Sequence, residues 1–124
     1  MIKNIFVIIN YNDSSTTIKL LNNISNYKIL DKILVVDNCS TDNSFSILKE
    51  YKNPKIDVIK TDANKGYGAG INYAIKHLEK EYGDANVFIS NADIYIKEEK
   101  DLEKIISDLE NNVDYYIVAP VVNE

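Results

Sequence analysis

The chain has 124 residues, 45% of them hydrophobic, and a formal net charge of −5. That is enough chain to bury one core but not two. All 14 basic residues are lysine, so a nucleic-acid partner is not expected, and any phosphate must be met by lysine, backbone N–H groups or a metal ion rather than by an arginine fork.

Short apolar runs then alternate with helical patterns. Residues 5–9 predict a buried strand, and Ile18, Leu21 and Ile24 mark the inner stripe of a first helix. Lys32–Asp37 predicts a second strand, followed by a helix over 42–51 capped by Ser40 or Asp42. Ile56–Lys60 predicts a third strand. Beyond a glycine-rich loop, Ile71, Ala74, Ile75, Leu78 and Tyr82 recur at helical spacing. Residues 86–91 predict a fourth strand, Leu102, Ile105, Ile106 and Leu109 the inner face of a helix over 97–111, and residues 115–119 a fifth strand.

Unbroken apolar strands between helices predict a single domain over 1–124. Its expected form is a three-layer α/β/α, Rossmann-like, mostly parallel sheet covered on both faces. In such sheets ligands bind beyond the carboxyl ends of the strands. Those ends are polar here: Asn10-Tyr11-Asn12-Asp13, Asp37-Asn38-Cys39-Ser40, Thr61-Asp62 and Ser90-Asn91-Ala92-Asp93.

The glycine loop, NKGYGAGIN at 64–72, is not a dinucleotide fingerprint. That motif needs glycine at 66, 68 and 71 after the first strand, whereas position 71 is Ile and the loop follows the third strand. No Gly-Lys-Ser/Thr occurs, so a Walker loop is excluded as well. A different phosphate-side loop and a plain turn both remain open. Asp37 suits a base N–H or a ribose hydroxyl, and equally a cap for the next helix. Asn91 and Asp93 flank a small residue and suit a divalent cation that shares diphosphate oxygens, or again a helix-start cap. Lys65 suits either phosphate or solvent.

Cys39 has no metal-spaced partner, and His77 falls off its helix's apolar stripe and reads as solvated. Neither builds a Ser-His-Asp or Cys-His constellation. The apolar run at the N-terminus is too short to span a membrane, and a single cysteine suits a reducing compartment. A soluble cytoplasmic protein is therefore expected, with a peripheral place at the inner face of a membrane left open.

Taken in order, VIINYN at 7–12, VVDNCS at 35–40, the glycine loop and ISNAD at 89–93 resemble the family 2 glycosyltransferases, in their rhamnosyltransferase-like branch. The resemblance runs along essentially the whole chain. It implies the nucleotide-sugar-binding half of a GT-A fold, and an inverting transfer of sugar from a nucleotide-diphosphate donor to an acceptor hydroxyl in polysaccharide or glycan synthesis. Carried over, Asn10, Tyr11 and Asn12 would line the nucleoside pocket. Asp37, with Asn38 beside it, would contact base or ribose. Asn64, Gly66, Tyr67 and Gly70 would pack beside the nucleotide, with Asn72 anchoring the helix start. Asp93, supported by Asn91, would ligate Mg2+ or Mn2+. The implied partners are a UDP- or dTDP-sugar and a saccharide or lipid-linked saccharide acceptor.

Two positions depart from the family pattern: Asn10 stands where relatives often carry Thr, and Ser-Asn-Ala-Asp where they show Leu-Asn-Pro-Asp or Asp-x-Asp. The family's acceptor pocket and general base would lie beyond Glu124. The resemblance thus implies a truncated chain, inactive alone, with an uncovered sheet edge or face that adds self-association to the expectations. A non-catalytic nucleotide-binding or interaction module of the same architecture stays open. A receiver-like domain lacks its acidic pair after the first strand and its lysine after the fifth, and a sugar nucleotidyltransferase lacks its glycine-rich, arginine-containing first loop.

Overall fold

The computed structural model describes residues 2–111. In chain order they form β1 (Lys3–Asn10), α1 (Ser14–Ile24), β2 (Lys32–Asp37), α2 (Ser44–Lys49), β3 (Ile56–Lys60), α3 (Tyr67–Tyr82), β4 (Ala85–Asn91) and α4 (Glu99–Asn111). The four strands make one parallel sheet in the order β3-β2-β1-β4. The strand expected over 115–119 lies outside the described residues.

Strand periodicity sorts the side chains of β1 into two cores. Phe6 and Ile8 join Leu20, Leu21 and Ile24 of α1, Leu48 of α2 and Leu102 of α4 on one face. Ile5, Val7 and Ile9 join Ala74 and Leu78 of α3 on the other. Helices therefore cover both faces, which is why the strands read as continuous apolar runs. The sheet thins at β4: Val87 and Phe88 are half-buried, and Ile89 is 41% exposed. Among the described residues β4 pairs with β1 alone.

The strands end level. Asn10 pairs with Asp37, Ile9 with Asn91 and Asp37 with Lys60, so the polar segments that follow all emerge along one edge.

Three helix starts differ from expectation. α2 is shorter than 42–51: Asn43 stands at the N-cap position without a side-chain cap bond, while the Asp42 carboxylate accepts from the Ser44 N–H at the helix start at 2.9 Å, as one of the two expected caps. Ser40 is engaged elsewhere, with Asp37, and the Asp42 N–H donates to Asn12 Oδ1 at 3.2 Å. α3 begins at Tyr67 rather than near Ile71, so Gly68 and Gly70 are helical and Asn72 is an exposed residue inside the helix. Gly70 brings α3 close to the sheet, since a Cβ there would lie 3.5 Å from Ile9 and Asn38 side-chain atoms. Tertiary packing here outweighs the poor helix propensity of glycine. α4 begins at Glu99, two residues later than expected.

Candidate functional site

Three ties hold the strand-end loops to one another. Asn12, at φ +51°, joins the loops after β1 and β2. Its N–H donates to Ser40 Oγ at 2.9 Å, its amide donates to Thr41 Oγ1 at 3.0 Å, and its Oδ1 accepts from the Thr41 N–H at 2.8 Å. Asn38 joins the end of β2 to the glycine loop. Its amide donates to Asn64 Oδ1 at 3.2 Å and to the Gly66 carbonyl at 3.0 Å, while its Oδ1 accepts from the Thr61 hydroxyl at 3.1 Å. Asn64 Oδ1 also accepts from the Gly66 N–H at 2.9 Å, so the loop closes on itself.

The third tie is centred on Asp37, which is fully buried. Its Oδ1 accepts from the Asn10 amide at 2.9 Å and the Ser40 hydroxyl at 2.6 Å, and its Oδ2 accepts from the Ser40 N–H at 3.0 Å. Three donors thus offset the cost of burying this carboxylate. Asn10 in turn accepts from the Thr17 hydroxyl at 2.6 Å, which fixes its amide from both sides.

Above these ties lies a cleft of about 460 Å³, a size suited to a small-molecule ligand. Its wall contains Asn10, Tyr11, Asn38, Asn64, Gly66, Tyr67, Asn91 and Asp93, eight of the residues expected from the sequence. Asn12, Asp37 and Gly70 stand behind the wall. In this geometry Asp37 does not touch the cleft; it orients Asn10, which does, and it binds the Ser40 turn rather than capping α2. His77, expected to be solvated, is half-buried and lies 3.3 Å from Glu81.

The wall also contains Ile9 and Thr16, which sequence reasoning missed, and Asp13 and Ala92, which it placed at the polar strand ends without giving them a role. Asp13 was detectable as a helix start, because Asp followed by Ser-Ser-Thr-Thr is an N-cap pattern. It caps α1, accepting from the Thr16 hydroxyl at 2.8 Å and the Thr16 N–H at 3.4 Å.

Among the described residues the wall carries two carboxylates, Asp13 and Asp93, and no lysine. Gly66 and Tyr67 bring the N-terminus of α3 to it, where first-turn N–H groups and the positive end of the helix dipole favour an anion. Burial pushes the Tyr67 phenol above its ordinary value, so it remains a neutral donor. Asp13 is occupied as a cap, whereas Asp93 is exposed and has no partner among the described residues. Asp93 and Asn91 offer oxygen donors of the kind hard divalent cations take. No group of three His, Cys, Asp or Glu side chains that could hold a metal occurs among the described residues. A cation at this place fits if a ligand's oxygens and water complete its shell.

A parallel α/β sheet with such a cleft beyond its strand ends is the architecture in which α/β domains take their ligands. The sequence profile for glycosyl transferase family 2 matches residues 5–124, and the chain belongs to that family. Poly(ribitol-phosphate) beta-N-acetylglucosaminyltransferase TarS of Staphylococcus aureus, strain Mu50 / ATCC 700699, is 30% identical over 121 residues, covering 91% of this chain and 20% of the relative. The protein of the same name from strain MW2 matches equally. The crystal structure of S. aureus TarS 1-349 superposes with a TM-score of 0.68 at 26% identity, over 88% of this chain and 33% of that one. The mannosyltransferase PcManGT of Pyrobaculum calidifontis, solved in complex with GDP-Man and Mn2+, shares the fold. Its TM-score is 0.69 at 21% identity, over 86% of this chain and 32% of that one. The chain thus spans a fifth of the curated relatives' length and a third of the solved structures.

Proposed function

We propose that the cleft binds the nucleotide diphosphate of an activated sugar, and that the protein transfers the sugar to a saccharide or lipid-linked saccharide hydroxyl with inversion. The observation that carries this reading is the convergence of four strand-end segments on one cleft whose wall, among the described residues, has a helix N-terminus and an unpartnered Asp93 but no lysine. Such a wall cannot neutralise a diphosphate by itself, so it calls for a cation. The name of TarS and the GDP-Man and Mn2+ bound to PcManGT support the same class of ligand.

In this reading Asn10 and Asn38 meet the nucleoside with amides already fixed by Asp37, Thr17 and Thr61. Tyr11 and Tyr67 flank it with aromatic surface. The first turn of α3 faces the phosphates, and Asp93 with Asn91 holds Mg2+ or Mn2+. When bound, the metal would stabilise the departing diphosphate. Among the described residues the cleft wall offers no carboxylate besides the capping Asp13 and the metal-side Asp93 to take the acceptor proton, so these residues carry donor binding rather than turnover. The single cysteine supports a reducing, cytoplasmic setting. Among the described residues no helix is long and apolar enough to cross a membrane.

Titration calorimetry with UDP, dTDP and GDP, with and without Mn2+, tests the reading and ranks the bases. Asp93→Ala should remove the metal-dependent part of the affinity. Equal binding by the variant and the parent would overturn the role given to Asp93, and sugar transfer by the 124-residue chain alone would overturn the division of labour.

A further inference from the structure

We propose that Asn23, on α1 and outside the cleft, is a positioning residue for Asp93; this rests on the reading of Asp93 as a metal ligand. β4 ends at Asn91, where the ladder with Ile9 holds the chain. Asp93 lies two residues beyond, in a segment that is neither strand nor helix. The next fixed point is Ile96. The Asn23 amide donates to the Ile96 carbonyl at 2.8 Å, and the Ile96 N–H donates to Asn23 Oδ1 at 2.7 Å, across 73 residues of chain.

This is a backbone-ladder pair supplied by a side chain, and only a carboxamide carries the donor and acceptor it needs side by side. The Tyr27 hydroxyl adds a third bond to the Ile96 carbonyl at 2.8 Å. Ala92 and Ile96 pack against the first core, whereas Ile94 and Tyr95 between them are 38% and 75% exposed. Residues 93–95 are therefore a short span without burial of its own, and the Asn23 pair fixes the backbone of its far end at Ile96, presenting Asp93 to the cleft. A separate tie, from the Ile29 N–H to the Glu99 carboxylate at 2.9 Å, holds the start of α4. It supplies a control for general loosening.

The experiment uses the 124-residue chain, with UDP, dTDP and GDP in turn as probes by calorimetry with and without Mn2+, together with amide exchange. Asn23→Ala should cut the Mn2+-dependent gain in nucleotide affinity about tenfold, as loss of an outer-shell partner does. It should leave metal-free affinity unchanged and speed exchange at 92–96. Tyr27→Phe, which removes a hydroxyl alone, should do the same to a smaller degree and serves if Asn23→Ala fails to fold. Glu99→Ala should leave the metal-dependent gain intact. An undiminished gain in Asn23→Ala or in a folded Tyr27→Phe, beside its loss in Asp93→Ala, overturns the positioning role while the ligand reading stands. A gain that survives in Asp93→Ala, or no Mn2+-dependent gain in the parent, overturns the ligand reading and the positioning role with it.

Discussion

Gly66 and Gly68 stand two residues apart, one capping α3 and the other inside it, and the same substitution has opposite effects at the two. Gly66 caps α3 at φ 99° and ψ 170°, a region essentially closed to side chains, although a Cβ there would meet no atom within 4 Å. Gly66→Ala should therefore cost about 1–3 kcal/mol from backbone strain alone. Gly68 is helical, in open space and without positive φ, so Gly68→Ala should stabilise by up to about 1 kcal/mol. Urea unfolding of the two variants reads both signs. Asp37→Asn keeps the size but loses the charge that three donors answer, and should destabilise by about 1.5–3 kcal/mol in the same assay. The sequence displayed Asp37 as a polar strand end and could not say whether it faced ligand or protein. A satisfied carboxylate and a waiting one look alike until their donors, 27 and three residues away, are in place.

At the scale of elements, legibility follows the reach of the signal. β2 and β3 were readable to the residue because the apolar run of β2 and the apolar residues Ile56, Val58 and Ile59 of β3 stop at Asp37 and Lys60. The start of α3 was not, since Gly68 and Gly70 look like loop, and the packing of Gly70 on Ile9 and Asn38 has no local trace. The tie between Asn23 and Ile96 leaves no local trace at all. α3 supplies Ala74 and Leu78 to the second core and presents its first turn to the cleft. Leu78→Ala should thus cost about 2–5 kcal/mol and, unlike a truncation of equal cost at Leu48 on the opposite face, should also weaken nucleotide binding. Calorimetry well below the unfolding midpoint separates the two effects. Loss of the α1 cap in Asp13→Ala should cost about 1 kcal/mol, read by thermal unfolding.

The whole molecule shows the parallel, doubly covered sheet that the alternating pattern announced, and an asymmetry that the pattern did not. β3, β2 and β1 are shielded, whereas β4 carries an exposed Ile89. Exposed apolar strand surface favours association, so Ile89→Lys should lower any self-association of the chain in sedimentation velocity. A profile unchanged by the substitution would exclude this face as the contact. The placing of β1 between β2 and β4 also orders events at the ribosome. Asn86 reaches back to Asn4 across 82 residues, a stretch that takes about 4–16 s to synthesise at ordinary elongation rates. For that interval β1, apolar throughout residues 5–9, has one flank open, and a chaperone or a neighbouring nascent chain can occupy it before β4 arrives.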